Sequence, residues 1–280
     1  MKKFLIIALF ALSSALVAQI ERPKWEVGGG VRLNYMILGG GFTAHRNSDG
    51  FESDIQYDAI GMNTYSPSLG LAIGGRYKMW NLEFGGSRGS YEGGFIAKTD
   101  IVRDDIQIDA GSPVDGTIDM TMYMLSTAFN FIQKKHDLGA GIGLVALQMG
   151  ANYSTTDIYG NELKLGDTYW FPMPFLALSG RLNFDKFKIS GTGGGAIFKG
   201  TRDGDKYDVG YYVLDISLVY DFLTTERWTY TAAIGYRDMY LYLDIEKEIG
   251  WYHETDIYRG PFASLRVKFS SEELWKYVRK

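Results

Sequence analysis

From Trp25 onward the chain alternates apolar with small or polar residues at a period of two, the signature of strands with one greasy face. The clearest case is Leu69 to Gly89, where Leu69, Leu71, Ile73, Tyr77 and Met79 fall on one side and Gly70, Ala72, Gly74, Arg76 and Lys78 on the other. A tight turn is expected at Trp80-Asn81. Leu82 and Phe84 then continue the apolar face, and Glu83, Gly85, Ser87 and Gly89 the polar one. Pairing Met79 with Leu82 would set Lys78 opposite Glu83, so one register would satisfy both faces.

The same pattern predicts strands over Trp25 to Ile37, Met120 to Ile132, Leu138 to Met149, a pair turning at Asp185-Lys186, Tyr212 to Phe222, Trp228 to Tyr236 and Gly260 to Phe269. About ten strands result. Four tight turns alternate with five longer polar segments, near residues 39–66, 92–119, 151–168, 199–208 and 244–258, and in the second of these Ile101-Val102 and Ile106-Gln107-Ile108 extend a strand. Aromatic residues crowd the apolar side beside the tight turns, among them Trp25, Tyr77, Phe84, Phe129, Phe131, Phe184, Phe187, Tyr220, Phe222, Trp228, Tyr230 and Phe269. Such a belt suits a membrane interface, where a ring buries its body and wets its edge. The expected fold is therefore all-β, a transmembrane antiparallel up-and-down β-barrel with its greasy side toward lipid. A secreted barrel with a greasy interior is the soluble alternative.

Composition narrows the reading. With no cysteine there is neither a disulfide framework nor a thiolate metal site, and a formal charge of −4 gives nucleic acid no basic face to bind. Met1-Lys2-Lys3 followed by the apolar run Phe4 to Ala18 reads as a secretory signal peptide, leaving residues 19–269 for the barrel. After Phe269, residues 270–280 form a tail in which Ser270 and Glu273 make a capping box, and it is expected to be a short C-terminal helix lying on the periplasmic face.

Gly260-Pro261-Phe262-Ala263-Ser264-Leu265-Arg266-Val267-Lys268-Phe269 and Ala233-Ile234-Gly235-Tyr236-Arg237 carry a resemblance. The chain resembles the small outer-membrane β-barrel proteins of Gram-negative bacteria, with the first segment similar to their closing strand. The resemblance implies the outer membrane as location, the tight turns in the periplasm, the longer loops outside, and lipid and lipopolysaccharide as surroundings. The chain departs from that family by continuing past the terminal aromatic.

Inward positions of such a barrel would be Glu26, Arg32, Arg76, Lys78, Glu83, Arg181, Lys188, Asp215, Asp221, Arg237, Arg266 and Lys268, a basic excess. One reading of this lumen is a narrow water-filled channel for small, preferably anionic solutes. The other is a network of ion pairs that seals it, leaving a binding or structural protein that works through acidic outer loops. Asp203, Asp205 and Asp208 have a calcium-like spacing without the further ligands such a loop needs, so neither a metal nor a cofactor is expected. A third reading follows from the size and layout of the omptin proteases, which the chain resembles. His253 with Asp256 in the last loop, and Asp203 with Asp205, would be the groups available for water activation, but their spacing does not match that family, and no enzyme is expected.

Overall fold

The structure, a computed structural model, describes residues 24–48, 50–57, 65–97, 100–103, 106–133, 136–156, 162–202, 204–248 and 250–272. In chain order its strands are β1 (Trp25–Arg46), β2 (Phe51–Gln56), β3 (Tyr65–Tyr77), β4 (Trp80–Ile96), β5 (Ile101–Arg103), β6 (Ile106–Ile108), β7 (Pro113–Gln133), β8 (Asp137–Thr156), β9 (Glu162–Phe184), β10 (Phe187–Arg202), β11 (Asp205–Thr224), β12 (Trp228–Lys247) and β13 (Gly250–Ser270). Ten of them, all but β2, β5 and β6, pair antiparallel with their neighbours, and β13 closes on β1 along its length. One edge of β1 pairs with β3 from Trp25 to Ile37 and with β2 from Gly41 to Arg46, so β2 continues the wall above β3. This closed ring leaves no edge along its lower wall.

Two aromatic rows band the outer surface. The lower one includes Trp25, Tyr77, Trp80, Phe184, Phe187, Tyr220, Phe222 and Trp228, and the upper one Tyr35, Tyr65, Tyr123, Trp170, Tyr212 and Tyr236, all exposed. Rings pair along both rows, Phe187 with Tyr220 at 4.8 Å, Trp80 with Phe129 at 5.1 Å and Tyr35 with Tyr65 at 6.0 Å. Between the rows the outward residues are mostly Leu, Ile and Val, and Leu176 is 67% exposed. On β1 and β12 the rows span eleven and nine residues, Trp25 to Tyr35 and Trp228 to Tyr236, which is about the length a tilted strand needs to cross a bilayer.

Above the upper row the pattern inverts. On β12 the outward positions run Trp228, Tyr230, Ile234 and Tyr236, whereas beyond Arg237 the apolar residues are Met239, Leu241, Leu243 and Ile245, which point inward and are buried. The same exchange of faces occurs on β11, from Leu214 outward to Val213, Tyr211 and Val209 inward, and on β9, from Leu176 outward to Phe175, Met173 and Phe171 inward. Period two is kept, but the phase flips where lipid gives way to water. Below that level the barrel is greasy outside and polar within, and above it the reverse holds.

Three sequence expectations change. The first tight turn is Lys78-Met79, not Trp80-Asn81, so Tyr77 pairs with Trp80 and Glu83 lies opposite Gly74. Lys78 takes φ 53° in this two-residue turn, and the shift frees Trp80 to join the lower aromatic row. Lys78 is therefore a turn residue beside the Tyr77 ring and not part of the lumen. All five polar segments are largely strand; in the last of them, for example, β12 runs to Lys247 and β13 starts at Gly250. Outward polar residues there meet water while the inward ones make a core. Residues 101–103 and 106–108 do not extend the wall, but pair with each other as β5 and β6. The signal peptide, Asp203 and residues 273–280 of the expected helix lie outside the described residues, and Ser270 closes β13.

Candidate functional site

The inward side chains of the lower half surround a cavity of about 450 Å3. Eleven of the twelve residues expected in the lumen line it, namely Glu26, Arg32, Arg76, Glu83, Arg181, Lys188, Asp215, Asp221, Arg237, Arg266 and Lys268, joined by Asp137. The two sides of the ring differ. Strands β9 to β13 and β1 carry most of the charge, whereas β3, β4, β7 and β8 present Gly70, Ala72, Gly74, Gly85, Ser126, Ala128 and Gly141. Open space remains because many inward residues of that wall are Gly, Ala or Ser.

Ion pairs organise the charged wall. Asp215 accepts from Arg237 Nε at Oδ1 and from Arg237 Nη2 at Oδ2, both 2.7 Å, and from Arg32 Nη1 at 2.7 Å. One carboxylate thus holds two guanidinium groups, and the Arg32 guanidinium carbon also sits 4.1 Å from the centre of the Phe262 ring. Arg76 Nε donates to Glu26 at 3.0 Å, Lys188 pairs with Asp221, and Thr231 donates to the other Asp221 oxygen at 3.0 Å. Seven lysines and arginines face five aspartates and glutamates, so the cavity is left net basic.

Over the cavity lies a continuous apolar filling. Met36, Leu38, Phe42, Ile118, Val145, Leu147, Met173, Val209, Leu241 and Leu243 belong to one buried cluster, and Leu147, Val145, Met173, Val209 and Leu243 are wholly inaccessible. Aromatic contacts bridge the interior, with Tyr153 of β8 touching Phe42 of β1 at 5.6 Å and Phe95 of β4 at 6.3 Å. The β5–β6 hairpin lies above, β5 against β1 and β2 and β6 against β9, on opposite sides of the ring. Its Ile108 is buried, and Gln107 donates to Asp100 and Asp109 at 3.1 Å each.

Within this filling sit two carboxyls that sequence reading placed in an outer loop. Asp256 and Glu254 lie on β13 and point inward, 0% and 4% exposed, because even-numbered residues of β13 face the interior throughout, and above the upper aromatic row that interior is the apolar core. Tyr57 and Tyr252 hydroxyls donate to Glu254 at 2.6 and 2.9 Å, and Tyr258 donates to Asp256 at 3.1 Å. Tyr57 reaches in where Gly40 has φ 103°, its N–H bonded to the Gly40 carbonyl at 3.0 Å. Only glycine serves at that position, since a Cβ would overlap the Thr255 carbonyl. Burial, and then the neighbouring Glu254 charge, push the Asp256 carboxyl well above the usual range, so it stays protonated where an ordinary Asp ionises. Burial also raises the Tyr57 and Tyr258 phenols, which keeps them donors.

A raised carboxyl pKa means that the folded state binds more protons than the unfolded one. Its contribution to stability is complete below about pH 4 and is lost as pH climbs through the folded-state value. Asp256→Asn should therefore unfold at higher urea than the parent at pH 7 and show a flatter stability profile above pH 4. A variant with the parent's slope would show that Asp256 is ionised in the fold.

No protein-family model and no curated protein matches the sequence. Among solved structures, the outer membrane protease OmpT from Escherichia coli aligns over 88% of this chain and 96% of its own, at 10% identity and a TM-score of 0.50. The chain has the outer-membrane β-barrel fold. At lower scores the barrel also aligns with the translocator domain of the autotransporter NalP from Neisseria meningitidis (14% identity, 96% and 95% covered, TM-score 0.37) and with the Pseudomonas putida toluene transporter TodX (9%, 89% and 91%, 0.32).

The other expected outer residues lie on the wall of this outer-membrane barrel, not in loops. His253 faces outward on β13, its Nδ1 held by Asp244 of β12 and its Nε2 3.2 Å from the Thr255 hydroxyl. Asp208 on β11 pairs with Lys199 and accepts from the Tyr242 hydroxyl at 3.1 Å, and Asp205 accepts from Tyr207 at 3.4 Å. His253 and Asp256, though close in sequence, face opposite sides of β13. No group of three or more potential metal ligands occurs among the described residues.

Proposed function

We propose that the chain is a non-conducting, non-enzymatic barrel of the bacterial outer membrane, acting through its outer half as a surface-exposed binding or structural protein. The supporting observation is the apolar filling. An ion crossing the barrel would have to shed water among Leu147, Met173, Val209 and Leu243 and then pass a hairpin across the mouth. The anion-channel reading has the basic cavity in its favour, but that cavity ends beneath Met122, Phe175, Tyr211 and Phe262.

In this proposal the tight turns face the periplasm and the outer half stands outside the cell. Arg88 and Arg259 point outward just beyond the upper aromatic row, in the place where lipopolysaccharide phosphates would meet them. The proposal includes no catalysis. His253, on which a hydrolase reading rests, lies flat on the outer wall. The refolded mature protein in a planar bilayer should give no steady conductance above that of protein-free lipid. Reproducible unitary steps, reduced or made less anion-selective by Arg266→Gln, would restore the channel reading.

A further inference from the structure

The apolar filling accounts for the upper interior and leaves the basic cavity without a role. Most of its cations are committed, with Arg32 and Arg237 on Asp215, Arg76 on Glu26 and Lys188 on Asp221. Arg266 and Lys268 differ. Both point into the cavity from β13, and neither makes a salt bridge among the described residues. Gly28 and Gly30 of β1 stand opposite them, and a Cβ on either would collide with the Lys268 or Arg266 stem. The missing side chains let the two stems lie against the β1 backbone, with both residues at the cavity wall. β8, which faces β13 across the ring, contributes Gly141 and, at its lower end, Asp137 to the cavity wall, beside Ala128 and Ser126 of β7.

The roof is of another kind. Met122, Met124, Phe175, Val213 and Phe262 close the cavity from above, and water against such a surface is poorly satisfied. From Arg266 to Phe262 is four residues along β13, about 13 Å. A volume near 450 Å3 lies within the range of roughly 300–1,000 Å3 that small-molecule sites occupy. Two uncommitted cations low in the cavity, a greasy roof about 13 Å higher and a side-chain-poor wall between them describe the complement of one ligand shape.

We infer that the cavity binds a small amphiphilic organic anion, a carboxylate with a compact apolar body, entering from the tight-turn end. Its anionic head meets Arg266 and Lys268, and its body displaces water from beneath Met124 and Phe175. The site is independent of whether the barrel conducts, because the outer filling lies above it.

The probe is 4-(4-fluorophenyl)butyrate, followed by fluorine NMR with the full mature chain refolded in zwitterionic micelles, against empty micelles and against the uncharged amide of the same acid. The acid should bind saturably with one site per barrel and the amide at least tenfold more weakly. Arg266→Gln with Lys268→Gln should weaken the acid at least tenfold, and Ala128→Leu, which fills the facing wall without touching a charge, should weaken both probes. Heat-modifiable gel migration reports that each variant is folded. Acid uptake no greater than in empty micelles, or an unchanged affinity in the doubly neutralised variant, would overturn the inference. Bilayer conductance measured on the same preparation reports on the sealed reading separately.

Discussion

Arginine placed at Ile234 and arginine placed at Leu243 should each destabilise the barrel strongly, although the two positions, nine apart on β12, face opposite sides of the wall. Ile234 is 64% exposed between the aromatic rows, where it meets hydrocarbon, and a cation there costs about 2–4 kcal/mol. Leu243 is 0% exposed and packs in the outer core, where an unpaired charge costs at least as much. The neighbours should behave oppositely. Ala233→Glu projects into the basic cavity, and Tyr242→Arg projects into water beside Asp208, so each should change stability by under about 1 kcal/mol. Urea titration of folding into lipid vesicles measures all four. If Leu243→Arg were tolerated like Tyr242→Arg, the outer half would hold water and not a core.

The second large effect is expected at Asp215. Its carboxylate is 17% exposed and neutralises Arg32 and Arg237 together, and Asp215→Ala leaves two guanidinium groups facing each other in a restricted space. Removing one partner from a buried ion pair typically costs about 3–5 kcal/mol. Water in the cavity beneath argues for the lower end of that range. Asp215→Asn keeps an acceptor for one guanidinium and should lose roughly half as much. Replacing Arg32 by Met in the Asp215→Ala background should recover stability, since it removes the uncompensated charge, and a double-mutant cycle isolates that coupling. A loss below about 1 kcal/mol would mean that solvent screens the cluster.

The membrane half was legible in sequence because each of its strands exposes one unbroken apolar face. Leu214, Ile216 and Leu218, or Leu176 and Leu178, need no partner to be read. The outer half was harder because its apolar residues sit on the other parity. Met239, Leu241, Leu243 and Ile245 alternate as cleanly as Trp228 to Tyr236, but when one parity is assumed throughout they register as a break, and Asp244 to Tyr258 becomes a loop. A flip of phase within continuous alternation was the missed signal, and it would also have placed Asp256 and Glu254 inside. Eleven cavity residues followed from the lower parity alone. Their pairing did not, because Arg32 and Asp215 are brought together only by closure of β1 on β13. Lys78 failed for a local reason, since a tight turn can start two residues earlier without altering either face.

The inverted outer half also sets where another cell, a phage or an antibody could touch this molecule. From Tyr236 to Lys247 the wall continues for about eleven residues above the upper aromatic row, which at the usual strand tilt lifts the last connections roughly 25–30 Å from the lipid surface. In the orientation proposed here, the barrel is a pedestal. The upper ends of its strands belong to a solid-cored column, so recognition at its summit would be felt neither by the bilayer nor by the cavity at its foot.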